Sequence, residues 1–179
     1  GVVLNKDGSF QRTAKFRGPD LDSAVAAELV AVAGRINNAV RRLGSGWSIF
    51  VEAQRSEAAT YPDSRFPDAA SALVDAERKA GFEEADAHFV SGYFLTFLWL
   101  PPAEEAARTE AWLYEGREKT GVDPWELMRG FIDRTDRVLA LLDGFMPECR
   151  WMDDGATLTY LHSTISTNRH RVRVPEVPM

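Results

Sequence analysis

The 179-residue chain has a formal net charge of −6 and is 45% hydrophobic and 27% charged. These proportions are close to the averages for soluble globular proteins, and they exclude disordered, collagen-like and other fibrous classes. The negative charge provides no general attraction to phosphate, so nucleic-acid binding would require a local basic patch. A chain of this length predicts one domain.

Cysteine content and hydropathy indicate the compartment. Cys149 is the only cysteine, so no intramolecular disulfide can form, which is typical of a reducing compartment. The longest apolar run, 89–100, is shorter than the roughly 20 residues of a membrane-spanning helix, and no secretion signal opens the chain. The sequence therefore predicts a cytoplasmic protein. Because the chain begins with Gly1 rather than Met, we expect it to be a piece of a longer protein.

A β-hairpin is predicted at the start of the chain. Residues 2–4 and 10–16 have the alternating pattern of strands, and they flank Asp7-Gly8. Such a pair tolerates the positive φ angles of a tight turn. The pattern predicts two antiparallel strands.

A helix is predicted after Gly18-Pro19. Asp22 or Ser23 would accept hydrogen bonds from the first free helical N–H groups, and Gly44 would end the helix in a left-handed conformation. Six apolar residues recur at three- and four-residue spacing and form one stripe of this helix. They are Val25, Leu29, Val32, Ile36, Val40 and Leu43.

Two further strands are predicted, with a loop and a second helix between them. Residues 47–54 alternate in a way that favours a strand with one buried face. That face carries Trp47, Ile49, Val51 and Ala53. A loop from Arg55 to Pro67 is followed by a helix from Asp68 to about Ala80 or a few residues beyond Gly81. The aromatic and aliphatic run Phe89–Leu100 predicts a long, buried strand at the centre of the sheet.

The remaining residues are predicted to be mainly helical. A third helix would occupy 102–115, and Asp123-Pro124 is typical of a cap followed by proline in the first turn of a helix that ends near Asp143. The core-facing residues of that helix would be Leu127, Phe131, Val138, Leu141 and Leu142. A short strand at 148–151 and a last helix through His162, capped by Asp153 or Asp154, complete the prediction.

The predicted order of elements, ββαβαβ followed by helices, favours an α+β fold. We expect a mixed or antiparallel sheet of four to five strands that begins with a hairpin and has helices packed on it. Residues 1–179 would form a single domain, with a possible subdivision into a sheet-rich region, 1–102, and a helix-rich region, 103–179.

Two segments contain residue types that bind phosphate or metals in other proteins, but each lacks a feature that the corresponding binding motif requires. The run 116–120, Gly-Arg-Glu-Lys-Thr, has Glu118 before the lysine, where its carboxylate would repel the phosphate of a P-loop. The acidic cluster Glu83, Glu84, Asp86 and His88 lacks a second histidine and the i, i+4 spacing of a zinc hydrolase. We therefore predict no cofactor and no metal in this chain.

Hydrolytic chemistry is also weakly supported. His162, followed by Ser163 and preceded by Asp153 and Asp154, supplies the residue types of a catalytic triad but no Gly-x-Ser-x-Gly elbow. Cys149 has no histidine near it in sequence and is expected to be a small core residue. The sequence predicts no catalytic residue.

Surplus aromatic side chains and a basic tail are the candidate partner-binding residues. Interfaces favour aromatic and arginine side chains, and several lie in predicted loops, at proline-rich edges or in the tail. The candidates are Arg55, Tyr61, Phe66, Trp112, Arg169, Arg171 and Arg173. The three tail arginines also support an alternative function as a nucleic-acid-binding module.

A combination of motifs carries a resemblance to a known family. The motifs are Gly44-Ser-Gly-Trp-Ser-Ile-Phe-Val-Glu-Ala-Gln-Arg55, Tyr61-Pro62, Phe66-Pro67-Asp68 and Tyr93-Phe-Leu-Thr-Phe-Leu-Trp-Leu-Pro-Pro102, with Val3–Phe10 and Leu161–Thr164 near the ends. Together they resemble the N-terminal region of TrbE-type conjugal-transfer proteins, in the CagE/TrbE/VirB family of type IV secretion system ATPases.

This resemblance implies a cytoplasmic ATPase held peripherally at the bacterial inner membrane, with ATP and Mg²⁺ bound in a C-terminal motor. No motor motif is present in these 179 residues, so no catalytic residue is carried over. The resemblance implies a docking domain that contacts inner-membrane subunits, neighbouring protomers and the ATPase domain of the same chain.

Overall fold

A five-stranded antiparallel sheet with helices packed on it forms the fold, as predicted. The computed structural model describes residues 1–58, 60–84, 88–105, 123–168 and 170–175. Its elements are β1 (Val2–Leu4), β2 (Phe10–Arg17), α1 (Ala26–Val40), β3 (Trp47–Glu57), α2 (Ala69–Glu84), β4 (Phe89–Trp99), α3 (Pro124–Asp143), β5 (Glu148–Trp151) and α4 (Asp154–Ile165). Most of the predicted helix at 102–115 lies outside the described residues.

The strand order is β1-β2-β4-β3, and β5 pairs with β2 as well. Phe10 to Phe16 of β2 lie opposite Trp99 to Tyr93 of β4. The other edge of β2 is shared, because β1 pairs with Phe10–Arg12 and β5 with Ala14–Arg17. β4 is therefore an interior strand, as predicted, and β3 lies at the end of the order.

The described chain forms two compact units. The first comprises Gly1–Glu52 and Tyr93–Met179, and the second comprises Ala53–Gly92. β3 and β4 each contribute residues to both units. The second unit consists of the end of β3, the following loop, α2 and the start of β4.

Local signals place the elements of the first unit largely where the sequence predicts them. Gly8 has a φ of 80° in the β1–β2 turn, the left-handed region that glycine tolerates. Gly46 has a φ of 81°, and a Cβ there would lie only 2.5 Å from the carbonyl oxygen of Leu100. Asp123 caps α3 by accepting a hydrogen bond from Trp125 N–H, and Asp153 caps α4 by accepting one from Ala156 N–H.

One face of the sheet packs against α1 and α3. Phe10, Trp47, Trp99 and Phe131 form an aromatic cluster, in which the Trp47 ring lies 5.5 Å from that of Phe131 and 5.9 Å from that of Trp99. A second cluster continues along the same face and contains Ala14, Leu95, Phe97, Val138 and Leu142. Aromatic rings and aliphatic side chains of this size contribute most of the burial energy of a small core.

The opposite face packs against α4 and includes buried polar groups that pair with one another. The hydroxyls of Thr13 and Thr96 lie 2.9 Å apart. The Tyr160 ring packs at a tilt against Phe94, with ring centres 4.6 Å apart, and the Tyr160 hydroxyl donates to Glu52 Oε2 at 2.7 Å. Pairing of this kind offsets the cost of burying polar side chains.

The predicted start of α1 is wrong. The helix begins at Ala26, and neither Asp22 nor Ser23 caps it. Glu28 reaches back instead, and its carboxylate accepts a hydrogen bond from Val25 N–H at 3.0 Å. The predicted stripe is buried only near its end, at Leu43, while Val25, Leu29 and Ile36 are exposed. The reason is that this segment packs on the core cluster only through Ala39, Val40 and Leu43, at and just beyond the C-terminal end of α1.

Three other burial predictions are also wrong. The face of β3 predicted to be buried packs only through Trp47; Ile49, Val51 and Ala53 are exposed, because among the described residues only Trp47 of this face packs against the two core clusters. β4 is buried from Leu95 to Phe97 and at Trp99, but not at Phe89 and Val90. Leu141 of α3 is exposed, and Thr135 and Leu139 are buried in its stead.

Candidate protein-binding surfaces

Tyr61 is a packing residue of the second unit. Its hydroxyl donates to Asp75 Oδ1 at 2.7 Å, and its ring meets Phe82 edge to face with centres 5.5 Å apart. The hydrogen bond to Asp75 raises the pKa of Tyr61. The side chain is half-buried, so it holds the loop before α2 against that helix.

The acidic cluster also has a structural role where it is described. Glu83 and Glu84 end α2, and Asp86 lies outside the described residues. The imidazole of His88 stacks on Phe82 at 3.9 Å, and Nε2 lies 3.0 Å from the carbonyl oxygen of Phe82. Within the described ranges, no three His, Cys, Asp or Glu side chains come close enough together to hold a metal ion.

Arg55 and Phe66 lie at the surface of the second unit. The Arg55 guanidinium carbon is 4.4 Å from the centre of the Phe89 ring, a cation–π distance. Phe66 is exposed in the loop before α2. α2 contains no buried residue, and Leu73 on it is 66% exposed. Other exposed apolar side chains of the unit are Val74, Phe89 and Val90.

The described section of the basic tail runs along α4. Val172 N–H donates to Thr159 Oγ1 at 3.0 Å. Arg171 and Arg173 are exposed and line a cleft of about 580 Å³ beside Gly155. Gly155 directly follows Asp153 and Asp154, whose carboxylates oppose anion binding at this helix end. Arg169 and Trp112 lie outside the described residues.

His162 and Ser163 are not arranged as a catalytic pair. The His162 ring contacts His170, with centres 4.4 Å apart. Ser163 Oγ donates to the carbonyl oxygen of Tyr160, and Asp153 caps the far end of α4. Cys149 is buried in the core, and that burial, with a smaller contribution from Asp143, raises the pKa of its thiol to about 11.

A second exposed surface, on β3, was not predicted from the sequence. Ile49, Phe50 and Val51 are all exposed, Phe50 by 55% and Val51 by 67%. Three consecutive apolar residues in a strand place apolar side chains on both faces. That run was a usable signal, because an edge strand with both faces apolar is unusual unless it has a partner.

The fold and these surfaces define an α+β domain that exposes apolar side chains on an edge strand, on α1 and on the second unit. Exposed apolar groups of this extent are typical of components of protein assemblies. None of the described helices combines the length and apolar composition that crossing a bilayer requires.

Comparison with known proteins identifies the family. Residues 1–107 match the family described as type IV secretion system ATPase VirB4/TrbE, N-terminal domain. The chain is 32% identical to the conjugal transfer protein TrbE of Rhizobium radiobacter over 198 residues, which cover 100% of this chain and 24% of that protein. A second relative, from Sinorhizobium fredii (strain NBRC 101917 / NGR234), is the first piece of a probable conjugal transfer protein TrbE. Its identity is 42% over 114 residues, which cover 62% of this chain and 75% of the relative.

The chain therefore belongs to the VirB4/TrbE family of type IV secretion system ATPases and contains its N-terminal domain. This confirms the resemblance found in the sequence. The chain spans about a quarter of the length of the Rhizobium radiobacter relative.

Proposed function

We propose that this chain is a non-catalytic assembly domain of a TrbE-type ATPase. It docks the ATPase onto inner-membrane subunits of a type IV secretion system and contacts neighbouring protomers. The protein would lie on the cytoplasmic side of the membrane and associate with it peripherally, through these subunits. ATP and Mg²⁺ would be bound by the remainder of the ATPase.

The observation that carries the docking proposal is the exposed apolar surface of the second unit. Leu73 and Val74 on α2, and Phe66 before it, are exposed. Folded monomers rarely leave several large apolar side chains exposed on so small a unit. The aromatic contact between Tyr61 and Phe82 keeps α2 attached to its own unit, so the outer side chains remain available to a partner.

Charge indicates the chemistry of the partner. Residues 53–92 contain eight Asp and Glu residues and four Lys and Arg residues. A partner segment that combines apolar side chains with Lys or Arg would complement this surface. Segments next to the cytoplasmic ends of membrane-spanning helices are rich in Lys and Arg, which fits an inner-membrane subunit.

The test is co-purification of the full-length ATPase with each inner-membrane subunit of its own secretion system. We expect one subunit to bind, and the double variant Phe66→Ser, Leu73→Ser to weaken the affinity about tenfold or more. The matched control is Ile165→Ser, which removes an 87% exposed apolar side chain from the first unit. Tyr61→Ala is a poor test because it would disturb the packing of the second unit.

Two results would contradict the proposal. One is the absence of binding by every inner-membrane subunit, and the other is an equal loss with Ile165→Ser. The absence of catalysis is tested separately, with the purified 179-residue chain. We expect no ATP hydrolysis above the buffer rate, and turnover that persists through purification would overturn this half of the proposal.

A further inference from the structure

Among the described residues, no strand pairs with the outer edge of β3, and this edge differs from the opposite edge of the sheet. β3 is 11 residues long and ends the strand order. The opposite edge is divided between β1, with three residues, and β5, with four. Short edge strands prevent pairing with other chains, whereas a long apolar edge invites it. In the first half of β3, Ile49, Phe50 and Val51 are exposed and carry no charge.

The hydrogen bonds of β3 show which backbone groups point outward. Leu100 N–H donates to the carbonyl oxygen of Gly46 at 2.8 Å, so Gly46 forms a hydrogen-bonded pair with β4. In an antiparallel ladder such pairs alternate with non-hydrogen-bonded ones. Even-numbered residues of β3 therefore direct their N–H and C=O groups to β4. Ile49 and Val51 direct theirs to the free edge.

We propose that this edge pairs in antiparallel orientation with β3 of a second copy of the chain, with Phe50 at the two-fold axis. Ile49 then lies opposite Val51 of the other copy, and the outward backbone groups of these two residues exchange hydrogen bonds. Phe50 lies opposite Phe50, and Ser48 lies opposite Glu52. The interface is isologous, the arrangement of most homodimers.

Side-chain complementarity favours this occupant and this register. Apolar residues oppose apolar residues at the centre, and no like charges meet. A register centred on Glu52 would place two carboxylates opposite each other, which is destabilising. The Glu52 side chain also accepts a hydrogen bond from Tyr160 of its own copy, on the face of the sheet that packs against α4. An unrelated extended segment could form the same backbone hydrogen bonds with β3, but its side chains would not be matched to those of β3 in this way.

The inference deepens the proposed function and rests on the portion of it that concerns neighbouring protomers. It does not depend on docking to membrane subunits. The two are tested by different measurements, and either can fail alone. A chain that binds a subunit but does not pair through β3 would overturn only the present inference.

Disulfide trapping tests the register directly. In the 179-residue chain carrying Cys149→Ser, Phe50→Cys places two thiols at a non-hydrogen-bonded pair, where Cα atoms lie about 4.5 Å apart and a disulfide can close. We expect nearly complete covalent dimer under mild oxidation. Leu73→Cys, a more exposed site on α2, is expected to cross-link at least about tenfold more slowly, because its thiols are not held within bridging distance. Equal rates at both sites would overturn the proposed register.

Sedimentation of the uncross-linked chain tests the dimer itself. We expect a concentration-dependent dimer, and we expect Val51→Lys to raise its dissociation constant about tenfold or more, because a cation then faces the apolar centre. Val30→Lys makes the same change at a 72% exposed position on α1 and should have no effect. A wild-type chain that stays monomeric at about 100 μM, or equal effects of the two lysines, would overturn the proposal.

Discussion

The guanidinium carbon of Arg12 lies 3.9 Å from the centre of the Trp151 ring, and both side chains donate hydrogen bonds to the same oxygen of Asp136. The donor–acceptor distances are 2.6 Å from Arg12 and 2.7 Å from Trp151. Arg12 also donates to Thr135 Oγ1 at 3.1 Å. Three elements, β2, β5 and α3, are joined through this one carboxylate.

Arg12→Ala is expected to lower the free energy of unfolding by about 2 kcal/mol. It removes a charged hydrogen bond, and it removes the side chain that packs over the Trp151 ring. The Arg12 side chain is only 13% exposed, so water replaces these contacts poorly. Urea denaturation provides the measurement. Arg150→Ala is the control, since Arg150 forms an exposed ion pair with Glu148, and we expect a change below about 0.5 kcal/mol. Similar losses in both variants would refute a special role for Arg12.

Tyr160 should make the stability of the chain depend on pH in the alkaline range. Its burial, together with the hydrogen bond to Glu52, raises its pKa to about 12, against about 10 in the unfolded chain. The neutral phenol is therefore favoured by folding. Its contribution is complete below pH 10 and is lost as the pH rises through 12.

Urea denaturation at pH 9 and pH 11 tests this expectation. The free energy of unfolding of the wild type should fall between these pH values by about 1 kcal/mol more than that of Tyr160→Phe. Tyr93→Phe removes a more exposed tyrosine and is the matched control. A Tyr160→Phe variant with the wild-type slope would show that the phenol titrates as it does in water.

Cys149 should be unreactive in the folded chain. Burial raises its pKa to about 11, so only about one thiol in a thousand is ionised at pH 8. We expect a disulfide reagent to modify the folded chain about a hundredfold more slowly than the urea-unfolded chain. The unfolded chain is its own control. Fast modification without urea would mean that the core around β5 opens readily.

The tail arginines should give little affinity for nucleic acid. Arg171 and Arg173 flank a helix end that already carries Asp153 and Asp154, and the whole chain is negatively charged. Titration with a single-stranded oligonucleotide at 50 mM and 200 mM salt is the measurement. We expect a dissociation constant weaker than about 10⁻⁴ M. Tight, salt-sensitive binding that Arg171→Ala and Arg173→Ala abolish would establish the nucleic-acid alternative.

Structural features that depend on residues close together in the sequence could be predicted. The β1–β2 hairpin follows from Asp7-Gly8, and the start of α3 follows from Asp123-Pro124, because both depend on local backbone geometry. The order of elements and the α+β class follow from these boundaries. The start of α1 could not be predicted from residue type alone, since Glu28, inside the helix, has the capping role expected of Asp22 or Ser23.

Structural features that depend on contacts between residues far apart in the sequence could not be predicted. Periodicity shows that Ile49 and Val51 share a face of β3, but whether a helix covers that face depends on where α1 lies. The partner of Tyr61 is Asp75, 14 residues away, and nothing in the loop sequence indicates that pairing. The candidate surface was therefore predicted as individual residues, whereas its apolar extent required the structure.

The shared edge of β2 has a practical consequence for where the protein can be divided. The stretch that matches the family model ends at residue 107, yet residues 148–151 supply about half of the hydrogen-bonding partners along that edge of β2. Phe131, Val138 and Leu142 complete the hydrophobic interior. A fragment cut at 107 would leave part of one edge of β2 unpaired and the hydrophobic interior open to water, so the smallest piece that can fold must include α3 and β5 and extends beyond the stretch that defines the family.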